Sequence, residues 1–189
     1  MVEIAVSELP LVEETEAEGE VARLFDDIKE KEQIPFVPNI WRGVAGSPEL
    51  LEGFWKAYLS TKTISLPAAL TSMIGYSISA ANRCTYCNTI YKVSCSMHGV
   101  DDEAMAALQA DLTTLTPQRV QEIVRFATKC GMEPESLTKA DYDRVRDQGL
   151  SDQEIVEVIV YAAWCTFADR IADALKIEVD PFIKQAAEG

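Results

Sequence analysis

Apolar positions recur at helical spacing along most of the chain. Residues 1–18 are acidic and read as an extended arm with a polar turn between Glu13 and Gly19. Val21, Leu24, Phe25 and Ile28 then line one face of a helix from about Glu20 to Glu32. The run from Ile34 to Trp41 carries two prolines among bulky apolar residues, which predicts a packed connector leading into a short helix. Ser47 followed by Pro48 predicts an N-cap with proline in the first turn, and Leu50, Leu51, Phe54, Trp55 and Leu59 give that helix its apolar face. Two more helices follow, over about Pro67–Ala81 and Cys84–His98, the second closed by Gly99. Asp101 starts a short helix, and Thr116-Pro117 opens one that turns Val120, Ile123, Val124 and Phe126 inward and closes at Cys130-Gly131. A charged, exposed helix runs from Thr138 to Gly149. Ser151-Asp152-Gln153-Glu154 then forms a capping box that launches the apolar stretch Ile155–Leu175. No alternating segment is long enough for a strand, so the pattern predicts a single all-α helical domain over residues 1–189. A faint echo links residues 66–98 to 150–177, as if a helical unit had been duplicated. Cys165-Thr166-Phe167-Ala168 stands in the second stretch where the first has Cys84-Thr85-Tyr86-Cys87, so only the first can act as a dithiol.

Composition narrows the function. The chain has 189 residues, 48% of them hydrophobic and 25% charged, enough for one substantial core. Its 31 acidic against 17 basic residues, a net charge of -14, argue against nucleic acid and fit a small substrate or a positively charged partner. The uncharged run from Thr63 to Asn82 is long, but Pro67, Gly75 and several Ser and Thr residues make it a buried helix, with no role for a membrane. The N-terminus lacks a basic region followed by an apolar run, so no secretory signal is expected. Five cysteines, an odd number, predict free thiols in a reducing, cytoplasmic compartment.

Reactive chemistry is written most plainly at Asn82-Arg83-Cys84-Thr85-Tyr86-Cys87. Two thiols one helical turn apart can bridge, or act as attacking and resolving groups. From Gly53 through Val100 there is no Asp or Glu, only Lys56, Lys62, Arg83 and Lys92 among the full charges. A helix N-terminus near Cys84 and the charge of Arg83 are expected to lower the thiol pKa. A zinc site would need a second ligand pair, and with one histidine and no second Cys-x-x-Cys none is expected. His98 reads as a helix C-terminal residue facing the last carbonyls. Cys95, Cys130 and Cys165 read as core, and Trp41, Trp55 and Trp164 as core or interface aromatics.

These residues carry a resemblance to the carboxymuconolactone decarboxylase and alkylhydroperoxidase D-like proteins, in particular their peroxidase-related branch. The matching stretches are Glu18-Gly19-Glu20-Val21, Pro35-Phe36-Val37-Pro38-Asn39, Ser47-Pro48-Glu49-Leu50-Leu51 and Ser79-Ala80-Ala81-Asn82-Arg83-Cys84-Thr85-Tyr86-Cys87. Gly149-Leu150-Ser151-Asp152-Gln153-Glu154-Ile155 and Arg170-Ile171-Ala172-Asp173-Ala174-Leu175 continue it. The resemblance implies an alkylhydroperoxidase D-like helical bundle that associates into dimers, trimers or hexamers. It also implies a peroxide-reducing dithiol needing no metal or other cofactor. Carried over, Cys87 is the peroxidatic thiol and Cys84 the resolving one, open to an external dithiol or lipoyl-type donor; the Cys84–Cys87 disulfide is the redox-active group. Active members place a glutamate twelve residues before the first cysteine and a histidine four after the second; here those positions are Ser72 and Tyr91. Tyr91 shares a helix face with Cys87, from which its hydroxyl could reach a thiolate. A carboxylate such as Asp169 or Glu154 could also arrive from elsewhere in the fold.

The expected function is therefore thiol-dependent reduction of small hydroperoxides, weakened or altered by loss of the relay pair. The alternatives are a helical oligomeric binding protein that kept the fold without catalysis, and a lactone-acid decarboxylase for which the cysteines are dispensable.

Overall fold

The structure, a computed structural model, describes residues 9–188, so the first part of the acidic arm lies outside the described residues. From Leu9 to Glu18 the arm is non-helical with a turn at residues 14–16. The helices are α1 (Gly19–Glu32), α2 (Asn39–Val44), α3 (Pro48–Thr61), α4 (Ala68–Asn82), α5 (Thr85–Met97), α6 (Asp102–Gln109), α7 (Gln118–Met132), α8 (Lys139–Asp147), α9 (Asp152–Leu175) and α10 (Pro181–Glu188). A 3-10 turn at Pro134–Ser136 joins α7 to α8, and no strand occurs among the described residues. The all-helical reading holds, with one helix that the apolar spacing did not predict, α10.

Helix α4 is the centre of the bundle, packed against α5, α6, α7 and α9. It carries no charge and is largely buried, with Ala68 and Ala81 exposed near its ends. Its small residues set how closely its neighbours approach. Gly75 lies beneath the Tyr91 ring of α5, and a methyl group there would overlap the ring. Helix α7 runs through Gly131 to Met132 instead of closing at Cys130-Gly131. The glycine serves helix packing: Thr166 of α9 donates its hydroxyl to the Gly131 carbonyl at 3.2 Å.

The predicted start signals mostly act as read. The Ser151 N–H and hydroxyl both bond the Glu154 carboxylate at 2.8 Å, capping α9. The Asp141 carboxylate takes the Thr138 N–H at 2.7 Å and hydroxyl at 2.8 Å. Asp141 and Val145 are nevertheless buried, so α8 is exposed on one face only. Ser47 occupies the N-cap of α3 without making a side-chain capping bond. The echo between residues 66–98 and 150–177 does not extend to the elements, since the first stretch is a two-helix hairpin and the second one continuous helix, α9.

The three tryptophans are buried. Trp41, Phe54, Trp55, Tyr58, Trp164 and Phe167 form one aromatic cluster that joins α2 and α3 to α9. A second seam is polar. Tyr86 donates to Asp180 at 3.0 Å and accepts the Ile40 N–H at 3.3 Å, while the Asn39 N–H reaches Asp180 at 2.9 Å and its amide reaches the Glu178 carbonyl. Tyr86 stands between the two cysteines, so this network clamps the start of α5 to the α2 N-terminus and to the segment before α10.

Candidate active site

The site grows out of the turn between α4 and α5. That turn has only two residues, Arg83 in the left-handed region at φ 61° and Cys84 at the N-cap of α5. The Cys84 N–H bonds the Ser79 carbonyl at 3.0 Å, and the Cys84 carbonyl accepts the Asn88 N–H at 2.9 Å. With Cys84 at the N-cap, Cys87 falls in the first turn of α5, and both thiols face the bundle interior. Cys84 has no exposed surface and Cys87 keeps 7%.

Facing them, from α9, is Asp169, fully buried at 0% exposure. The two sulfurs and a carboxylate oxygen of Asp169 lie within 4.8 Å of one another. Ser79 donates its hydroxyl to one Asp169 oxygen at 2.8 Å and Asn82 its amide to the other at 2.7 Å. The Cys87 thiol lies beside the same carboxylate. Burial raises the Asp169 pKa above the usual carboxylate value, and the bonds from Asn82 and Ser79, with the neighbouring Cys87 thiol, work against that rise.

This electrostatic setting reverses the expected one. The Cys87 thiol is pushed well above its ordinary value, first by its hydrogen bond with Cys84, then by burial and by the nearby negative charge of Asp169. The acid-free tract is real in the sequence, but the fold fills it with a carboxylate from residue 169. Arg83 is exposed. This setting favours the neutral thiol at Cys87.

The other candidate residues lie elsewhere. Ser72 is buried on α4, about 15 Å along the axis from Asn82, and its hydroxyl meets the Ala68 carbonyl, Ser94 and His98 Nδ1, the last at 3.0 Å. His98 caps α5 as expected, its N–H bonding the Ser94 and Cys95 carbonyls at 3.1 Å, while its ring pairs with the hydroxyls of Ser72 and Ser94. The Tyr91 hydroxyl meets Cys165 Sγ at 3.3 Å and so points toward α9, away from the role of donor to Cys87. Glu154 is committed to capping α9. Cys95 and Cys165 are core thiols, each pushed up to about 12 by burial, and burial likewise takes Cys130 to about 11. Cys84, expected to be open to an external reductant, is the more enclosed of the pair.

Ser79 and Asn82 gained their roles only from the fold. Asp169 left a readable trace. Ile155, Val158, Ala162, Cys165 and Ala172 mark the inward face of α9, and Asp169 occupies the same register. A carboxylate on the apolar face of a helix is a candidate functional group.

No protein-family model and no curated protein matches the chain. Solved structures do. A peroxidase-related protein with an alkylhydroperoxidase AhpD core from Ralstonia eutropha JMP134 aligns with a TM-score of 0.87 at 19% identity, over 99% of each chain. A peroxidase-related protein from Silicibacter sp. aligns with a TM-score of 0.80 at 21% identity, over 93% of this chain and 92% of that one. The debrominase Bmp8 aligns with a TM-score of 0.78 at 17% identity, over 100% of this chain and 98% of that one. At these identities the likeness is one of fold, and the chain has the alkylhydroperoxidase AhpD-like helical fold.

The pH dependence of Cys87 alkylation checks the electrostatics. Because the thiolate is the nucleophile, iodoacetamide modification of Cys87 is expected to rise about tenfold per pH unit through the ordinary thiol range near pH 8.5, without a plateau. Asp169→Asn, which removes the neighbouring negative charge, should raise the rate at pH 7. A plateau below pH 7 in the native chain, read by mass spectrometry of the Cys87 peptide, would contradict this setting.

Proposed function

We propose that this chain is a thiol-dependent oxidoreductase that reduces small hydroperoxides through Cys84 and Cys87, with Asp169 moving the proton. The observation that carries the reading is the convergence of two sulfurs and one carboxylate, all buried, at the edge of the bundle core. Asp169 takes the place of the missing relay. As Cys87 Sγ attacks the terminal peroxide oxygen, Asp169 accepts the thiol proton and returns it to the leaving alkoxide, giving a Cys87 sulfenic acid and an alcohol. Cys84 Sγ then attacks the sulfenic sulfur, water leaves, and the Cys84–Cys87 disulfide forms. An external dithiol of the lipoyl class restores both thiols and is itself oxidised.

Several features support this chemistry over a lapsed scaffold. Ser79 and Asn82 each commit a hydrogen bond to Asp169, fixing both carboxylate oxygens where they face the thiols. Cys87 is the thiol with residual exposure, as an attacking sulfur needs. A surface depression of about 400 Å³, lined among others by Ser79, Arg83, Cys84 and Gln109, lies on the Cys84 side of the pair, without Cys87 or Asp169 in its lining. The same electron pair could reduce a carbon–bromine bond, and the fold shared with a debrominase makes a bromopyrrole the informative comparison substrate.

The homo-oligomer implied by the resemblance belongs to the same proposal. Val156, Val160 and Phe167 form an exposed apolar stripe along α9, and exposed Leu50 lies one turn from Phe54, whose ring contacts Phe167. A second copy of the chain is the proposed occupant of this face. Among the described residues no helix is long and apolar enough to cross a membrane.

Turnover of an alkyl hydroperoxide with a dithiol donor tests the catalytic reading. Cys87→Ser should abolish it, and Asp169→Asn should lower it by about 100-fold or more, the usual worth of a proton-transfer group, while alkylation of Cys87 is not slowed. Undiminished turnover in Cys87→Ser ends the peroxidase reading, and preference for the bromopyrrole in the native chain redirects it. Conversion of a lactone acid by Cys84→Ala/Cys87→Ala would select decarboxylation. For the assembly, light scattering should show a multimer that Val160→Glu dissociates; a monomeric native chain would contradict it.

A further inference from the structure

We propose that the reduced site binds a thiophilic divalent cation of the zinc class through Cys84 Sγ, Cys87 Sγ and the Asp169 carboxylate, and that this binding and disulfide formation exclude each other. The inference stands on the geometry of the three groups and holds whether or not the chain turns over peroxide.

Three ligand atoms, two sulfur and one oxygen, lie within 4.8 Å of one another and come from two helices. Tetrahedral zinc, with bonds of about 2.3 Å to sulfur and 2.0–2.2 Å to carboxylate oxygen, needs ligand atoms somewhat under 4 Å apart. Closing the 4.8 Å spread to that separation is the rearrangement the proposal requires. Two thiolates with one carboxylate favour a zinc-class ion over magnesium or calcium, which prefer all-oxygen shells. Sequence spacing gave no second ligand pair, and the fold supplies the third ligand from α9.

The supporting shell is in place before any ion: Ser79 and Asn82 orient the carboxylate, as outer hydrogen bonds commonly do for metal ligands. Asn82 Oδ1, on the amide whose Nδ2 holds Asp169, is a buried side-chain acceptor with no hydrogen-bond partner, so the polar shell around the carboxylate keeps one acceptor unfilled. Because both sulfurs would be ligands, neither could attack a peroxide while the ion is bound, and an oxidised site would have no thiolate to offer.

Cobalt(II) added to the reduced, full-length chain is the probe. The expected result is near-ultraviolet sulfur-to-cobalt charge-transfer absorption, bleached by zinc and absent once diamide has converted the native chain to the Cys84–Cys87 disulfide. Cys84→Ser and Cys87→Ser should each weaken the band, their combination should remove it, and Asp169→Asn should lower the apparent affinity at least tenfold. Cys130→Ser should leave all of this unchanged. The oxidised native chain provides the control in which no variant need fold. No charge-transfer band in the reduced native chain, or a band that survives in Cys84→Ser/Cys87→Ser, overturns the proposal. A positive cobalt result with no peroxide turnover would remove the peroxidase reading and keep this one.

Discussion

A single buried carboxylate governs the arrangement around the thiols. Asp169 is in the interior of α9, where an isolated charge would be costly, and it is tolerated because Ser79 and Asn82 turn donors toward it, with the Cys87 thiol alongside. Those groups come from the end of α4 and the start of α5. The carboxylate therefore ties α9 to the α4–α5 hairpin at the turn that carries Cys84 and leads into Cys87. The seam that locates the hairpin is also the chemistry of the site.

Other constraints hold that seam in register. Gly75 lets the Tyr91 ring lie against α4, and Gly131 lets α7 approach α9, so the helices around α4 pack closely. On the other side of α5, Tyr86 is fixed by Asp180 and the Ile40 N–H, which prevents the first turn from rotating. Cys84 and Cys87 are thus held toward Asp169 by residues interleaved with them, and the Pro35–Asn39 motif gains a structural role through Asn39.

Much of this was readable from local rules and some could not be. Start signals that act within three residues, such as Ser151 with Glu154, operate as the spacing predicts, because their physics is local. The Cys-x-x-Cys pair at a helix start was visible for the same reason. The sign of the Cys87 shift was not, since helix dipole and Arg83 are local influences, whereas Asp169 is 82 residues further along the chain. Ser72 and Tyr91 show the converse. They match relay positions by spacing, yet Ser72 pairs with Ser94 and His98, and Tyr91 with Cys165. Position along a helix gave their address and not their partners. The AhpD-like fold itself is shared with solved structures at 17–21% identity.

The account rests on Cys84 and Cys87 acting as one redox unit and the remaining cysteines as core. Peptide mapping by mass spectrometry after one equivalent of alkyl hydroperoxide tests this most directly. The account predicts one disulfide per chain, between Cys84 and Cys87, with Cys95, Cys130 and Cys165 still alkylated as free thiols after unfolding. Oxidation distributed over all five cysteines, or a Cys87 sulfenic acid that persists without a bridge to Cys84, would contradict it.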